Sequence, residues 1–236
     1  MYHSIRSVSR SEVMRSLHVS PTAFRRQMYL LNLMGFRGLG LTEAIKEKAK
    51  KPCSKVCAIT FDDGYKNFIT NALPALDEQR FKATIYVPSS LVGSSNTWDL
   101  DKGISVNSLM DWDELMEIQS RGFEIGCHGA SHIDLTETNV DLAWEISAAK
   151  NRIEEKMGRQ VSSLCYPYGS FNNLVIKHSL DDGFDSAVTM RRGRADLSRD
   201  DYLSLPRIPV TWHTTAAHFI LKLLTGYEDR RSHQGA

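Results

Sequence analysis

Ala58-Ile59-Thr60-Phe61-Asp62-Asp63-Gly64-Tyr65 is an apolar run that stops on two adjacent carboxylates and a glycine. With Val56 ahead of it, the run reads as a buried strand over 56–61 whose end opens into a Gly turn. Adjacent carboxylates at a strand end repel, so they require solvent or a cation, and one of them is expected to carry a shifted pKa. Taken alone, the stretch is read as readily as an acidic turn capping the next helix, because Asp-Gly is ordinary turn chemistry. The metal reading gains weight at Cys127-His128-Gly129-Ala130-Ser131-His132, where a second apolar run, with Phe123 and Ile125, also ends in side chains able to ligate. One carboxylate and two imidazoles are a donor set for a divalent ion.

Outward from these two stretches, strands alternate with helices. Tyr2 to Ile5 reads as a short strand. Ser20-Pro21 reads as N-cap and first residue of a helix that carries Phe24, Met28, Leu31 and Met34 and stops at Gly35. A second helix opens at Thr42, and its Lys46–Lys51 end reads as solvated surface. After the strand at 56–61 comes a helix from Asn67 to Arg80 in which Pro74 is expected to make a kink. Ala83–Val87 is a strand, 89–108 a long polar loop of the kind that carries function, and 112–121 a helix capped by Asp111. The strand 123–126 follows, then a helix from Thr138 to Met157, a strand 163–166, the turn Pro167-Tyr168-Gly169-Ser170 and a helix 172–181. Strands at 187–189 and 207–210 and a helix at 214–224 complete the chain, with a disordered tail expected over 227–236. Such alternation argues for an α/β fold with parallel strands joined by helical crossovers.

With 236 residues and 42% hydrophobic content, the chain suits one domain, spanning 1–226. Its 29 Lys and Arg against 28 Asp and Glu leave a formal charge of +1, which gives no electrostatic argument for nucleic acid or an anionic membrane. Cys53, Cys57, Cys127 and Cys165 lack CxxC spacing and are too few for a disulfide scaffold, so reduced structural thiols are expected. No stretch approaches the length of a membrane span. Met1-Tyr2-His3-Ser4-Ile5-Arg6 has neither a basic n-region nor an apolar h-region, so the expectation is a cytoplasmic protein, with export the alternative for an N-terminally truncated chain.

Both ligand groups follow strands, and an α/β barrel gathers its site at the carboxyl ends of its strands. That places Asp62, Asp63, His128, His132 and the Tyr166–Gly169 turn in one mouth. His128 and His132 are four apart, so on a turn entering a helix they face one side. Three such ligands leave open positions on the ion, which describes a hydrolytic site, with the unbound carboxylate free to act as general base.

At these residues the sequence resembles a polysaccharide deacetylase of the NodB-homology type. Thr60-Phe61-Asp62-Asp63-Gly64 matches that family's first motif, His128-Gly129-Ala130-Ser131-His132 its second, and Tyr166-Pro167-Tyr168-Gly169 resembles the end of its third. The resemblance runs from about residue 1 to about residue 212. It implies a single-domain distorted (β/α) barrel, with Asp62 as catalytic base and Asp63, His128 and His132 as ligands of zinc, or of cobalt or nickel. It also implies that the Tyr168 backbone N–H stabilises the oxyanion. Tyr2-His3-Ser4-Ile5, followed by Ser20-Pro21-Thr22-Ala23-Phe24, resembles the circularly permuted poly-N-acetylglucosamine deacetylase branch, which makes His3 the general acid in preference to His213.

Two positions depart from the pattern. Cys165 stands where the third motif begins with an arginine that orients the base, and Arg207 is the less favoured candidate to reach the site from another strand. Gly129 stands where a Ser or Thr hydroxyl steadies the ligand loop. Tyr65, Trp98 and Trp112 are candidate sugar platforms and equally candidate core residues, while His18, His178 and His218 read as structural or surface residues. The expected function is hydrolysis of an N-acetyl group, or less favourably an O-acetyl group, from an amino sugar in a glycan or glycan precursor. The rivals are an amidase acting on a small non-sugar amide and a carbohydrate-binding domain with impaired catalysis. Nothing in the sequence points to a protein partner or sets the oligomeric state.

Overall fold

A computed structural model describes residues 1–9 and 11–230. From the N-terminus, β1 (Ser4–Ile5) is followed by β2 (His18–Val19), α1 (Pro21–Leu33), β3 (Arg37–Leu39) and α2 (Leu41–Lys50). Next come β4 (Val56–Ala58), β5 (Thr60–Phe61), α3 (Leu73–Glu78), β6 (Thr84–Val87), α4 (Trp112–Ser120) and β7 (Glu124–Cys127). The chain continues through α5 (Ala149–Met157), β8 (Ser163–Cys165), α6 (Asn173–Asp181), β9 (Ser186–Arg192), β10 (Leu205–Arg207) and α7 (Ala216–Leu224).

The local chemistry explains the helix ends. Ser20 caps α1 by accepting the Ala23 N–H at 3.3 Å, Pro21 occupies the first turn where its missing donor costs nothing, and Phe24, Met28 and Leu31 form the buried stripe. Asp111 and Glu114 exchange backbone bonds in a capping box that opens α4. Phe24 packs edge-on to Tyr2 and Phe61, and Phe61 to Phe68, so α1 is pinned to the inner strands by an aromatic chain. Truncating Phe24 to Ala would cost about 3–5 kcal/mol.

Among the described residues the central sheet has six strands in the order β10-β9-β8-β7-β6-β5, and each neighbouring pair is parallel. The N-terminal segment bridges its two edges. Tyr2 donates to the Thr60 carbonyl at 2.9 Å and accepts from the Asp62 N–H at 3.0 Å, while the Met1 carbonyl accepts the Val210 N–H at 3.1 Å. The sheet therefore curls into the expected distorted (β/α) barrel, with the first residues as the strand beside β5.

Several boundaries differ from the sequence expectation. The single strand at 56–61 is two: 56–58 pair with Arg37–Leu39 in a separate small sheet, while 60–61 join the barrel beside β6. The partner β3 escaped notice because Arg-Gly-Leu carries no strand pattern. Its Gly38 is required by close approach, since a Cβ there would lie 2.6 Å from both Ile59 and Phe81. The 67–80 helix begins as a π turn over Phe68–Ala72 that leads into α3 with Pro74 as its second residue. The 138–157 helix begins later, with Asp141 accepting the Trp144 N–H at 3.2 Å and a π turn over Ala143–Ala148 preceding α5. The last strand lies at 205–207 rather than 207–210. Of the expected tail over 227–236, residues 231–236 lie outside the described residues. Order extends through 227–230, because Glu228 is fully buried and ion-paired with Lys222 and Arg192, each at 2.7 Å. No helix of the described residues is long and apolar enough to cross a membrane.

Candidate active site

The carboxyl end of β5 sends its two acids in different directions. Asp63 adopts a left-handed φ of 73° and Gly64 one of 72°. A Cβ at Gly64 would meet Val87 at 2.9 Å, so only glycine lets the turn fold back against β6. Asp63 Oδ1 then lies 3.3 Å from His128 Nε2 and 3.2 Å from His132 Nε2. His128 stands at the end of β7, and its Nδ1 is 2.6 Å from the Cys165 carbonyl at the end of β8. That carbonyl accepts, so Nδ1 carries the proton and Nε2 of the neutral ring turns a lone pair toward Asp63. His132 reaches the same point from a loop, with φ 56°, and not from the expected helical turn.

This donor set fits a cation. One carboxylate oxygen and two imidazole nitrogens all lie within 4.8 Å of one another, and all three residues are buried. With Nδ1 of His128 carrying the proton, its Nε2 lone pair faces the Asp63 anion in a low-dielectric pocket, an arrangement that a cation between them would satisfy. A second triple, Asp62, His128 and Cys165, is equally compact. It is excluded as a ligand set because a guanidinium already occupies it.

That guanidinium is Arg207. It bonds Asp62 bidentately, Nη1 to Oδ1 and Nη2 to Oδ2, each at 2.7 Å. Its Nη2 also lies 3.3 Å from Cys165 Sγ. On sequence Arg207 is the less favoured candidate to reach the site; the structure puts it there, because β10 lies two places from β8 in the sheet and a long side chain spans β9. Burial would raise Asp62, yet Arg207 and then His3 outweigh it and hold the carboxyl at about 2. His3 Nε2 is 3.7 Å from Asp62 Oδ2, supplied by the N-terminal segment. Burial lowers the His3 pKa below its ordinary value against the pull of Asp62. His213, by contrast, is exposed, with its ring against Trp212 and its Nδ1 3.0 Å from Thr211.

Tyr168 follows β8 in a tight turn with φ 57°. Its ring meets His132 edge-on at 4.9 Å, and its hydroxyl donates to Asp99 at 3.2 Å. Trp98 stacks on the His132 ring with centroids 4.3 Å apart. Trp98 belongs to the long 89–108 loop, which folds over the mouth through a short 3-10 turn at Thr97–Lys102. Lys102 fastens that turn by an ion pair of 2.6 Å to the buried Asp99. Beside His132 a cleft of about 540 Å³ opens, lined by Trp98, Lys102, Asp134, Glu137 and Tyr168. Of the other aromatics considered, Tyr65 is buried and hydrogen-bonds Asp63 and Asn96, and Trp112 packs against the core. Cys53 and Cys57 are free thiols.

Sequence reasoning missed Glu145, Trp98 as a histidine partner, and Asp99. Glu145 is buried and accepts the Ala130 and Ser131 N–H groups, each at 3.0 Å, between the two histidines. The only signal for it was an acid among the apolar positions of a helix. Trp98 and Asp99 lie in an irregular loop, where no periodicity places a side chain.

The chain is similar to known polysaccharide deacetylases. A poly-β-1,6-N-acetyl-D-glucosamine N-deacetylase of Staphylococcus epidermidis is 25% identical over 233 residues, covering 95% of this chain and 78% of that protein. A polysaccharide deacetylase from Bacillus cereus superposes with a TM-score of 0.79 at 25% identity, covering 94% of this chain and 67% of that structure. IcaB from Ammonifex degensii shares the fold, with a TM-score of 0.77 at 20% identity over 95% of each chain. The polysaccharide deacetylase family model matches residues 49–187, the span that holds Asp62, Asp63, both histidines and the Tyr168 turn. The chain belongs to the polysaccharide deacetylase family.

Proposed function

We propose that this chain is a metal-dependent hydrolase that removes N-acetyl groups from amino sugars of a glycan or glycan precursor. The observation that supports it most is the division of labour between neighbouring acids: Asp63 with two imidazoles, Asp62 with a guanidinium and His3. A divalent ion, zinc in the first instance, would be held by Asp63, His128 and His132 and would supply Lewis acidity at an acyl oxygen and to an attacking water.

The remaining steps belong to this chain's own side chains. Asp62, ionised and oriented by Arg207, accepts a proton from water as the new C–O bond forms. The Tyr168 backbone N–H is assigned to the oxyanion. His3, 3.7 Å from Asp62, is assigned to deliver a proton to the sugar nitrogen as the C–N bond breaks. Acetate and a free amine leave, and one water is consumed. The half-buried Trp98 and the cleft beside it offer an apolar face and polar groups suited to a sugar ring. The S. epidermidis relative, by its name, acts on poly-β-1,6-N-acetyl-D-glucosamine, which places that polymer first among substrates to try.

The test is acetate release from a panel of N-acetylated oligosaccharides and sugar precursors by metal-stripped protein, with and without zinc, cobalt or nickel. Metal-dependent release, abolished by Asp62→Asn with metal still bound, is the expected result. Release by Asp62→Asn at the wild-type rate would remove the base assignment, and no release with metal bound would turn the reading toward a non-sugar amide.

A further inference from the structure

We propose that Glu145 is the positioning residue of the metal-ligand loop, replacing from a neighbouring helix the hydroxyl absent at Gly129. This inference rests on Asp63, His128 and His132 being the metal set.

The loop from His128 to His132 is held from two sides. On one side, Ser89 and Ser90 donate to the Gly129 and Ala130 carbonyls, each at 3.0 Å. On the other, a single oxygen, Glu145 Oε2, accepts both the Ala130 and the Ser131 N–H at 3.0 Å. These donors are turned inward, and without Glu145 they would be buried and unpaired. Glu145 is 3% exposed, and it stands within the π turn Ala143–Ala148. The wider turn changes the angle at which the side chain leaves the helix, and π turns recur where a functional side chain must be aimed.

Gly129 completes the arrangement. It has φ +75°, a conformation that side-chain-bearing residues rarely adopt, and a Cβ there would lie 3.2 Å from Glu145 Oε2. A serine or threonine at 129 would therefore be strained and would crowd the carboxylate. The departure at 129 and the presence of an acid at 145 are one solution to one need: fixing a loop whose two ends must converge on Asp63. Glu145 touches neither the ion site nor the reacting atoms, so its effect passes through the histidines.

The experiment is zinc affinity of the metal-stripped full chain, measured by competition with a chromophoric chelator, for wild type and for Glu145→Ala, Glu145→Gln and Glu145→Asp. Circular dichroism and unfolding curves monitor the fold of each. Glu145→Gln keeps an oxygen in place and is expected to bind zinc as wild type does. Glu145→Ala, and Glu145→Asp with its carboxylate withdrawn by about 1.5 Å, are expected to lose about 10–100-fold in affinity. Should Glu145→Ala fail to fold, the Gln and Asp pair decides. Aspartate binding as wild type, glutamine binding as weakly as alanine, or alanine binding as wild type each overturns the proposal. If the wild-type chain itself binds no divalent ion, the metal reading falls and takes this inference with it; if it binds and all variants match it, this inference alone falls.

Discussion

Replacing Arg207 by methionine keeps an unbranched apolar stem and deletes the guanidinium. All five N–H donors of that group are engaged. Nε bonds the Thr189 carbonyl at 2.9 Å, Nη1 bonds Thr60 Oγ1 at 3.1 Å and Asp62, and Nη2 bonds Asp62 and Cys165 Sγ. Removing one partner of a buried ion pair costs about 3–5 kcal/mol, a large part of the 5–15 kcal/mol or so that holds a domain folded.

The pH dependence of that loss carries the diagnosis. In the wild type Asp62 is depressed from 3.8 to about 2, a contribution of about 2 kcal/mol that is present above pH 3.8 and lost as pH falls toward 2. In Arg207→Met, burial is no longer outweighed, and the folded pKa of Asp62 rises above its unfolded value. The sign then reverses: stability is retained below the unfolded pKa and declines as pH rises through the folded one. Urea denaturation at a series of pH values should show the gap between variant and wild type narrowing from about pH 7 to about pH 4. The acid limb of kcat/KM should move to higher pH, because Asp62, the base under the proposed function, must now be deprotonated without help. Arg207→Lys, which restores charge but not the fork, should fall between the two. A gap that stays constant across that range would refute the argument.

His3→Gln should lower kcat by about 10²–10⁴-fold with metal retained, whereas His213→Gln should leave kcat unchanged; acetate-release kinetics of both variants would decide between them. Trp98→Ala removes the stacked face of His132, an aromatic contact of about 0.5–1.5 kcal/mol, and chelator competition should show zinc affinity falling by about 2- to 10-fold. His18, 1% exposed, is held at about 4 by burial and then by Arg6, with Glu12 and Asp63 opposing and His3 adding to the depression. Its neutral form therefore adds about 3 kcal/mol that is present above pH 6.5 and lost as pH falls toward 4, and a His18→Gln variant with the same melting-temperature slope over that window would contradict this. Glu124 accepts from Thr42 N and Oγ1, Thr84 Oγ1 and Ser163 Oγ at the foot of the barrel; Glu124→Ala should cost more than about 3 kcal/mol in urea, with activity per folded molecule unchanged.

Two central strands were legible because their signal is local. Thr84–Val87 and Glu124–Cys127 are short, mostly buried runs, and the second ends where the ligands begin. The division of 56–61 was not legible, because both halves are apolar and only the choice of partner separates them. Val56–Ala58 pair with Arg37–Leu39, and Thr60–Phe61 with Thr84–Ile85. Pairing is a tertiary fact, and a strand as short as Arg37–Leu39 announces nothing of it. The closure by Met1, Tyr2 and Val210 is likewise a matter of pairing and follows from no property of those residues.

The site divides in the same way. Asp62, Asp63, His128 and His132 stand within short motifs, so their spacing discloses them. Arg207 and Glu145 act on those motifs from other elements, at separations of 145 residues from Asp62 and 15 from Ala130. What the chemistry requires at Asp62 is a guanidinium in a given place, not an arginine at a given position in a motif. Cys165 is fully buried at the end of β8, and its smaller side chain leaves room for a guanidinium to enter from β10. The order β8-β9-β10 sets the distance that such a side chain has to cover. A substitution that looks like a lost function in one strand is therefore a transfer of that function to another, and only the sheet order distinguishes the two.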